Sequence, residues 1–156
     1  MALTYDQIKE AVTEHMRAEQ EQDWEFLTDQ LDDDVEYALN TVWNPEDPEP
    51  YGGHFLGTKT YLELWHAVYR NFESYDIEIE DVVIEVERRM AFVRLQVTAV
   101  PKQEWYGLPP GRPVRWRSAA ICVFDEDGHM LSENAYGSFP PIMEGYRRAL
   151  DYTGAS

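Results

Sequence analysis

The chain has 156 residues and a formal charge of −17 at pH 7, with 13 basic against 30 acidic side chains. This length fits one domain with an ordinary core, so residues 1–156 are expected to form a single unit. The negative charge argues against binding to nucleic acid or to an anionic membrane surface, because both require a basic face.

The features that bear on cellular location favour the cytoplasm. Cys122 is the one cysteine of the sequence, so no disulfide can form within the chain, and its apolar neighbours predict a buried thiol. The sequence lacks an apolar run of the roughly 18 residues that a membrane-spanning helix needs. Residues 1–4 lack the basic start and apolar stretch of a signal peptide. We therefore expect a cytoplasmic protein.

Three helices are predicted in the first half of the chain. Thr4 and Gln7 have the spacing of a capping box for the first helix, on which His15 shares a face with apolar residues. Asp23 has the position of an N-cap for a short second helix. A third helix is predicted from Thr58 to about Phe72. Its apolar stripe consists of Tyr61, Leu64, Trp65, Val68, Tyr69 and Phe72.

Most of the second half alternates with the period of strands. Strands are predicted at 35–43, 77–86, 90–100, 114–124 and 130–136. Residues 125–128, Asp-Glu-Asp-Gly, are a strong hairpin signal, and the proline-rich residues 44–53 predict an exposed loop. A last helix is predicted around residues 142–150. Helices followed by long antiparallel strands indicate an α+β fold.

The order of these elements resembles a known superfamily. Phe55-Leu56-Gly57 before a helix, followed by long antiparallel strands, is similar to nuclear transport factor two-like proteins, and within them to SnoaL-like polyketide cyclases. Residues 108–114 (Leu-Pro-Pro-Gly-Arg-Pro-Val) are similar to the segment that opens their penultimate strand, and residues 124–136 to their closing hairpin. The resemblance covers about residues 5–150. It implies a cone-shaped α+β barrel, in which a curved, mainly antiparallel sheet wraps around the N-terminal helices and encloses one pocket. It also implies a homodimer formed through the outer face of the sheet.

The superfamily includes ketosteroid isomerases, epoxide hydrolases, dehydratases and polyketide cyclases, and the match to the isomerases is incomplete. His15 falls where the isomerases place a pocket tyrosine that donates a hydrogen bond to the substrate carbonyl. Leu39 and Ala120 stand where those enzymes carry their two acids. Without the two acids, steroid isomerase chemistry is not expected.

The match to the epoxide hydrolases is also incomplete. Arg94 matches the arginine that bridges two carboxylates in those enzymes, and Tyr37 approximately matches a tyrosine that positions water. Gln96 and Ala135 stand at the two carboxylate positions, and a glutamine does not act as an acid or base near neutral pH. The resemblance therefore does not carry this mechanism over.

Glu133 is the acid that remains in the last predicted strand, since Ser138 stands where many SnoaL-like cyclases carry aspartate. If the strand alternates as in the relatives, Glu133 faces inward, but a slip of one residue would turn Asn134 inward instead. An inward Arg94 would need a buried partner, and Glu133 is the natural one. In that case both residues would be structural rather than catalytic.

Substrate-binding residues are expected on the elements that line the cavity in the resembled fold. Aromatic residues make up 13% of the chain, which suits a large, flat, apolar ligand, although such rings also form ordinary cores. Residues 105–108, Trp-Tyr-Gly-Leu, could form a lid over the mouth. The predicted substrate-binding set is Trp43, His54, Trp65, Tyr69, Gln96, Trp116, Ser118, Ala120 and Asn134.

The sequence predicts a reaction that needs no cofactor. It contains no nucleotide-binding or serine-nucleophile motif and no histidine pair at the spacing typical of a metal site, so neither cofactor nor metal is expected. The predicted function is acid–base chemistry on a hydrophobic small molecule, such as cyclisation, isomerisation, dehydration or hydrolysis. The candidate catalytic residues are His15, Tyr37, Arg94 and Glu133. The alternative is a non-catalytic protein of the same fold that binds a ligand or a protein partner.

Overall fold

The computed structural model describes residues 3–40, 54–104 and 109–137, which form three helices and six strands. The helices are α1 (Tyr5–Glu21), α2 (Trp24–Gln30) and α3 (Thr58–Asn71). The strands are β1 (Leu31–Asn40), β2 (His54–Leu56), β3 (Phe72–Glu85), β4 (Met90–Pro101), β5 (Val114–Phe124) and β6 (Met130–Tyr136).

Several predicted features lie outside the described residues. They are Trp43, the loop at 44–53, the lid at 105–108, Ser138 and the helix at 142–150. No helix in the described ranges is both long enough and apolar enough to cross a membrane.

The predicted starts of α1 and α2 are confirmed by their capping hydrogen bonds. The Thr4 hydroxyl accepts from the backbone N–H of Gln7, and the Gln7 side chain accepts from the backbone N–H of Thr4. The Asp23 carboxylate accepts from the backbone N–H of Phe26. Both caps pair N–H groups that a helix leaves without partners at its start.

The six strands form one sheet in the order β2-β1-β6-β5-β4-β3. Each neighbouring pair is antiparallel except β1 and β6, which run parallel. The mainly antiparallel α+β arrangement predicted from the sequence is therefore confirmed. Strand β2 was not predicted, because its three residues looked like the junction between a loop and α3.

The contacts of α3 show that the sheet curves around the helices. Helix α3 contacts β1 and β3, which are four strand spacings apart in the sheet. Four spacings in a flat sheet are about 19 Å. A helix is only about 10–12 Å across with its side chains, so it reaches both strands because the sheet bends around it. The inner face of this bend holds the candidate site.

Candidate active site

The inner face of α1 carries two buried polar residues among apolar ones. Ile8, Val12, His15 and Glu19 follow at spacings of four, three and four, which places them on one side of the helix. All four are buried. His15 and Glu19 are four residues apart, so their side chains meet: His15 Nε2 lies 3.4 Å from Glu19 Oε1.

Gln30, at the end of α2, fixes the proton on the His15 ring. Its Nε2 donates to the backbone carbonyl of Ala11 at 2.8 Å, so its Oε1 is the atom that faces His15 Nδ1, at 2.7 Å. An amide oxygen only accepts, and therefore Nδ1 of His15 carries a proton and donates it. The other ring nitrogen, Nε2, can exchange a proton with the hydroxyl and carboxylate groups that face it.

The Tyr61 hydroxyl, from the first turn of α3, lies among three titratable side chains. It is 2.8 Å from His15 Nε2 and donates to Glu133 Oε2 at 3.1 Å or to Glu19 Oε1 in a short hydrogen bond. A phenol has one proton, so it cannot donate to both carboxylates at once. The remaining hydrogen bonds need a proton from His15 or from a carboxyl group.

Glu133 completes the cluster from the sheet. In β6, Glu133 and Ala135 are buried and Asn134 is only half buried, so of the two registers that the sequence left open the structure has the one with Glu133 inward. Its Oε2 lies 3.4 Å from His15 Nε2. Across the sheet, Glu133 is opposite Tyr37 on β1 and Cys122 on β5.

These four side chains, His15, Glu19, Tyr61 and Glu133, are called the acid–base cluster below. Burial alone would lower the pKa of His15, but the charges and hydrogen bonds of Glu19 and Glu133 raise it to about 10. Burial and the charge of Glu133 raise the pKa of Glu19 to about 7, against the opposing effects of His15 and Tyr61. The cluster therefore holds a proton that can be gained or lost near neutral pH.

The tyrosines at the site remain neutral phenols. Burial, followed by the charges of Glu133 and Glu19, raises the pKa of both Tyr37 and Tyr61 well above the usual range. The Tyr37 ring packs edge-on against Tyr61, with centroids 4.9 Å apart. At neutral pH these hydroxyls act as hydrogen-bond donors and relays, and not as bases.

The predicted interior role of Arg94 is corrected by its position. Arg94 is on the outer face of β4, 53% exposed, and pairs with Glu80 at 3.1 Å and Asp81 at 3.8 Å. The β4 side chains that face inward are those of odd number, beginning with Ala91 and Val93, because β4 pairs in fixed register with β3 and β5. The expected buried Arg94–Glu133 pair is therefore not formed.

Two of the predicted substrate-binding residues also lie away from the interior. Gln96 is on the same outer face as Arg94 and donates to Glu78 at 3.3 Å. Asn134 alternates with the inward Glu133 and so belongs to the outer face of β6. Neither side chain joins the acid–base cluster.

The other predicted residues that are described point inward. Ser118 and Ala120 are buried on β5, where the Ser118 hydroxyl donates to the carbonyl of Tyr136 at 3.0 Å. Trp65, Tyr69 and Trp116 surround the Tyr75 ring, with centroid distances of 5.6, 6.0 and 5.9 Å. The side chains of His54 and Trp43 lie outside the described part of the chain.

Sequence reasoning missed three residues of the site. Glu19 continues the inward face of α1, and an acid on an apolar helical face was the signal that could have found it. Tyr61 was read only as the first apolar residue of the α3 stripe. The contact of Gln30 with His15 depends on the packing of α2 against α1, which no local pattern predicts.

The acid–base cluster also has the donor atoms of a metal site. In the part of the chain that the structure describes, one group brings three metal-ligating atoms within 4.8 Å of one another: His15, Glu19 and Glu133. Imidazole and carboxylate ligands suit several divalent metals. The Tyr61 hydroxyl occupies hydrogen-bond positions on all three side chains, so a metal would have to displace it.

The chain is similar in sequence to a known protein family. The model of the SnoaL-like domain family matches residues 12–133. No curated protein matches the chain in sequence. The matched segment includes His15, Glu19, Tyr61 and Glu133, so the whole acid–base cluster lies within the family domain.

Solved structures show the same fold at low sequence identity. A candidate SnoaL-like polyketide cyclase from Jannaschia sp. CCS1 has a TM-score of 0.70 and 13% identity, over 88% of this chain and 90% of that one. A SnoaL-like polyketide cyclase from Agrobacterium tumefaciens has a TM-score of 0.63 and 18% identity, over 82% and 88%. An LEH-like epoxide hydrolase from M. tuberculosis has a TM-score of 0.63 and 14% identity, over 93% and 88%. The cone-shaped α+β fold predicted from the sequence is confirmed.

Proposed function

Because the chain belongs to the SnoaL-like domain family, we propose that it is a cytoplasmic enzyme that moves protons on a hydrophobic small molecule without a cofactor. The observation that carries this proposal is the acid–base cluster, in which His15, Glu19 and Glu133 are joined through one tyrosine hydroxyl. A buried carboxyl group that titrates near neutral pH, as Glu19 does, is typical of general acid–base catalysis. The fold neighbours include a polyketide cyclase and an epoxide hydrolase, which supports an enzymatic role.

Each member of the cluster has a distinct part in the proposed chemistry. Glu133 is the base that takes the substrate proton. Of the two carboxylates it is the one on the inner face of the sheet, and it is the more exposed, at 3% against 1% for Glu19. Tyr61 donates to Glu133 or to Glu19, so a proton that arrives on Glu133 can be passed on to Glu19. His15, as an imidazolium, offsets the charge of both carboxylates in the buried site.

Tyr37 contributes as a positioning group. It lies opposite Glu133 on the neighbouring strand and stays a phenol at neutral pH. A proton removed from carbon leaves negative charge on the adjacent oxygen, and a neutral donor in a buried site stabilises such charge. The reaction types that fit are cyclisation, isomerisation, dehydration and hydrolysis.

The test is proton exchange between substrate and solvent. The protein is incubated in D₂O with ring ketones, ring epoxides and polyketide-like esters, and mass spectrometry measures deuterium incorporation and new products. We expect turnover of at least one class, and the Glu133→Gln variant should lower the rate by about 10²–10⁴-fold. The matched control is Glu78→Gln, which removes an exposed carboxylate on the outer face of β3.

A second candidate function is favoured because the polar groups of the acid–base cluster already form hydrogen bonds within the protein. Every polar side chain in it has a partner within the protein, as in a structural network. In that case the protein binds a ligand or a protein partner without turnover. Absence of turnover over the whole panel, or equal rates for wild type and Glu133→Gln, would support this candidate and contradict the enzymatic one.

A further inference from the structure

A group of aromatic residues lies beside the acid–base cluster. Trp65 and Tyr69 on α3, Tyr75 on β3 and Trp116 on β5 pack together, with Tyr75 in contact with each of the other three. Tyr69 connects the two groups, since its hydroxyl donates to the backbone carbonyl of Glu19 at 2.7 Å. We call Trp65, Tyr69, Tyr75 and Trp116 the aromatic group.

Two hydrogen-bond donors in the aromatic group have no acceptor. The indole Nε1–H of Trp65 and that of Trp116 are buried, and neither has a hydrogen-bond partner among the residues that the structure describes. Trp65 as a whole is more than nine-tenths buried. Buried donors are nearly always paired, because an unpaired one has lost its hydrogen bonds to water without replacement. Both donors belong to rings that pack against Tyr75, and each lacks an acceptor among the described residues.

The surroundings limit the chemistry of this acceptor. An indole N–H is a neutral donor, and the nearby Glu19 and Glu133 raise the pKa of Tyr75 through their negative charge, after the larger effect of burial. An anionic ligand would add a further negative charge beside these two carboxylates. A carbonyl oxygen accepts hydrogen bonds without carrying a charge, and a ring attached to it can pack against Tyr69 and Tyr75.

From these observations we infer that Trp65 and Trp116 form a subsite for a neutral, ring-bearing ketone whose oxygen accepts from the indole N–H groups. This inference rests on the proposed function, because it assigns the group that orients the substrate next to the acid–base cluster. Hydrogen bonds from both indoles would draw electron density from the carbonyl. The adjacent C–H bonds would thereby become more acidic, and these are the bonds that a carboxylate base attacks.

The inference predicts a preference for a ketone over its hydrocarbon. The probes are 1-tetralone and tetralin, which share the ring system and differ at the carbonyl. Wild-type protein should bind 1-tetralone more tightly than tetralin by about fivefold or more, the usual effect of a hydrogen bond. Trp65→Phe and Trp116→Phe keep an aromatic ring and remove the N–H, so each should reduce this preference. The matched control is Trp24→Phe, since the Trp24 ring also contacts Tyr69 but its indole N–H is not one of the two buried unpaired donors.

Nuclear magnetic resonance gives a readout that does not depend on affinity. The five tryptophans each give one indole ¹H–¹⁵N signal, and the phenylalanine variants assign those of Trp65 and Trp116. Saturation with 1-tetralone should move both signals downfield, as new hydrogen bonds do, while tetralin should not. If one variant fails to fold, the other variant still tests the subsite.

The possible outcomes separate this inference from the proposed function. Equal affinity for the two probes, no binding of 1-tetralone, or indole signals that do not move would each overturn the subsite. Deuterium exchange that is unchanged by the two tryptophan substitutions would overturn it while leaving the proposed function in place. Tetralone binding with the predicted indole shifts, together with no turnover of any compound in the panel, would retain the subsite and contradict the proposed catalysis.

Discussion

The Nδ1 atom of His15 lies 2.7 Å from the Oε1 atom of Gln30, and this contact orients the imidazole. Gln30 is held in turn by the carbonyl of Ala11, so α1 and α2 together determine that Nε2 faces the two carboxylates. The bond is buried, and loss of either partner would leave a polar group unpaired.

The first prediction concerns this bond. Gln30→Leu should lower the free energy of unfolding by about 1–3 kcal/mol, because it leaves the Nδ1–H of His15 buried without an acceptor. Urea unfolding followed by circular dichroism measures the change. Gln96→Leu, at a half-buried glutamine on the outer face, is the control and should stay within about 0.5 kcal/mol of wild type. Equal effects of the two substitutions would show that the His15–Gln30 hydrogen bond does not stabilise the folded protein.

The second prediction concerns stability and pH. The folded-state pKa of His15 is raised to about 10. The stability that protonated His15 contributes to the fold is therefore fully present below about pH 6.5 and is lost as the pH rises towards 10. The folded-state pKa of Glu19 is raised to about 7, so the folded protein holds this proton more tightly and loses stability from about pH 4.5 to 7. Both effects have the same sign.

Urea unfolding at a series of pH values tests this sign. Wild type should become less stable as the pH rises from about 5 to 9. Glu19→Gln should flatten the curve over the whole range, because it removes the Glu19 carboxyl and one of the two charges that raise the pKa of His15. Glu78→Gln, which alters a carboxylate of the outer face, should leave the shape of the curve unchanged. A wild-type stability that increases over this range would show that the cluster does not bind extra protons in the folded state.

The third prediction distinguishes protons from a metal ion in the cluster. If His15, Glu19 and Glu133 share protons through Tyr61, added Zn²⁺ or a chelator should leave the melting temperature unchanged. A ligand that binds only the folded state raises the melting temperature. An increase with Zn²⁺ that Glu133→Gln abolishes would therefore establish a metal site and contradict proton sharing.

The fourth prediction concerns self-association through the outer face of the sheet, which the family resemblance implies. Val83 and Phe92 face each other across β3 and β4, and they are 59% and 40% exposed. Sedimentation equilibrium should give a dimer for wild type and a monomer for Phe92→Glu, because a buried charge would disfavour the interface. Leu56→Glu, at the opposite edge of the sheet and 59% exposed, should remain dimeric. A monomeric wild type would contradict the prediction.

Local patterns predicted most helices and strands but missed those that depend on tertiary contacts. Strands β4, β5 and β6 match the predicted ranges to within one residue, since their alternation is regular. The start of β1 was missed because Asp32, Asp33 and Asp34 do not favour a strand by themselves. Strand β3 begins at Phe72, five residues before the predicted start, because Phe72 also completes the apolar stripe of α3.

The site was only partly predictable for related reasons. His15 and Glu133 stood out as titratable residues in apolar elements, and the structure brings their side chains within 3.4 Å. The interior position predicted for Arg94 was wrong because apolar residues occur at both odd and even positions around it in β4. The sequence pattern alone therefore did not decide which set of residues faces inward. The register with β3 and β5 decides it, and register is a property of the assembled sheet.

His15, Glu19 and Glu133 form one buried hydrogen-bonded site in which Glu19 gains or loses a proton near neutral pH. The most direct measurement is a titration followed by nuclear magnetic resonance of the His15 ring nitrogens and the glutamate side-chain carboxyl carbons. We expect His15 to stay an imidazolium to about pH 9 and the Glu19 carboxyl to titrate near pH 7. A neutral His15 at pH 7, together with a Glu19 that ionises at the ordinary value near pH 4.3, would contradict this expectation.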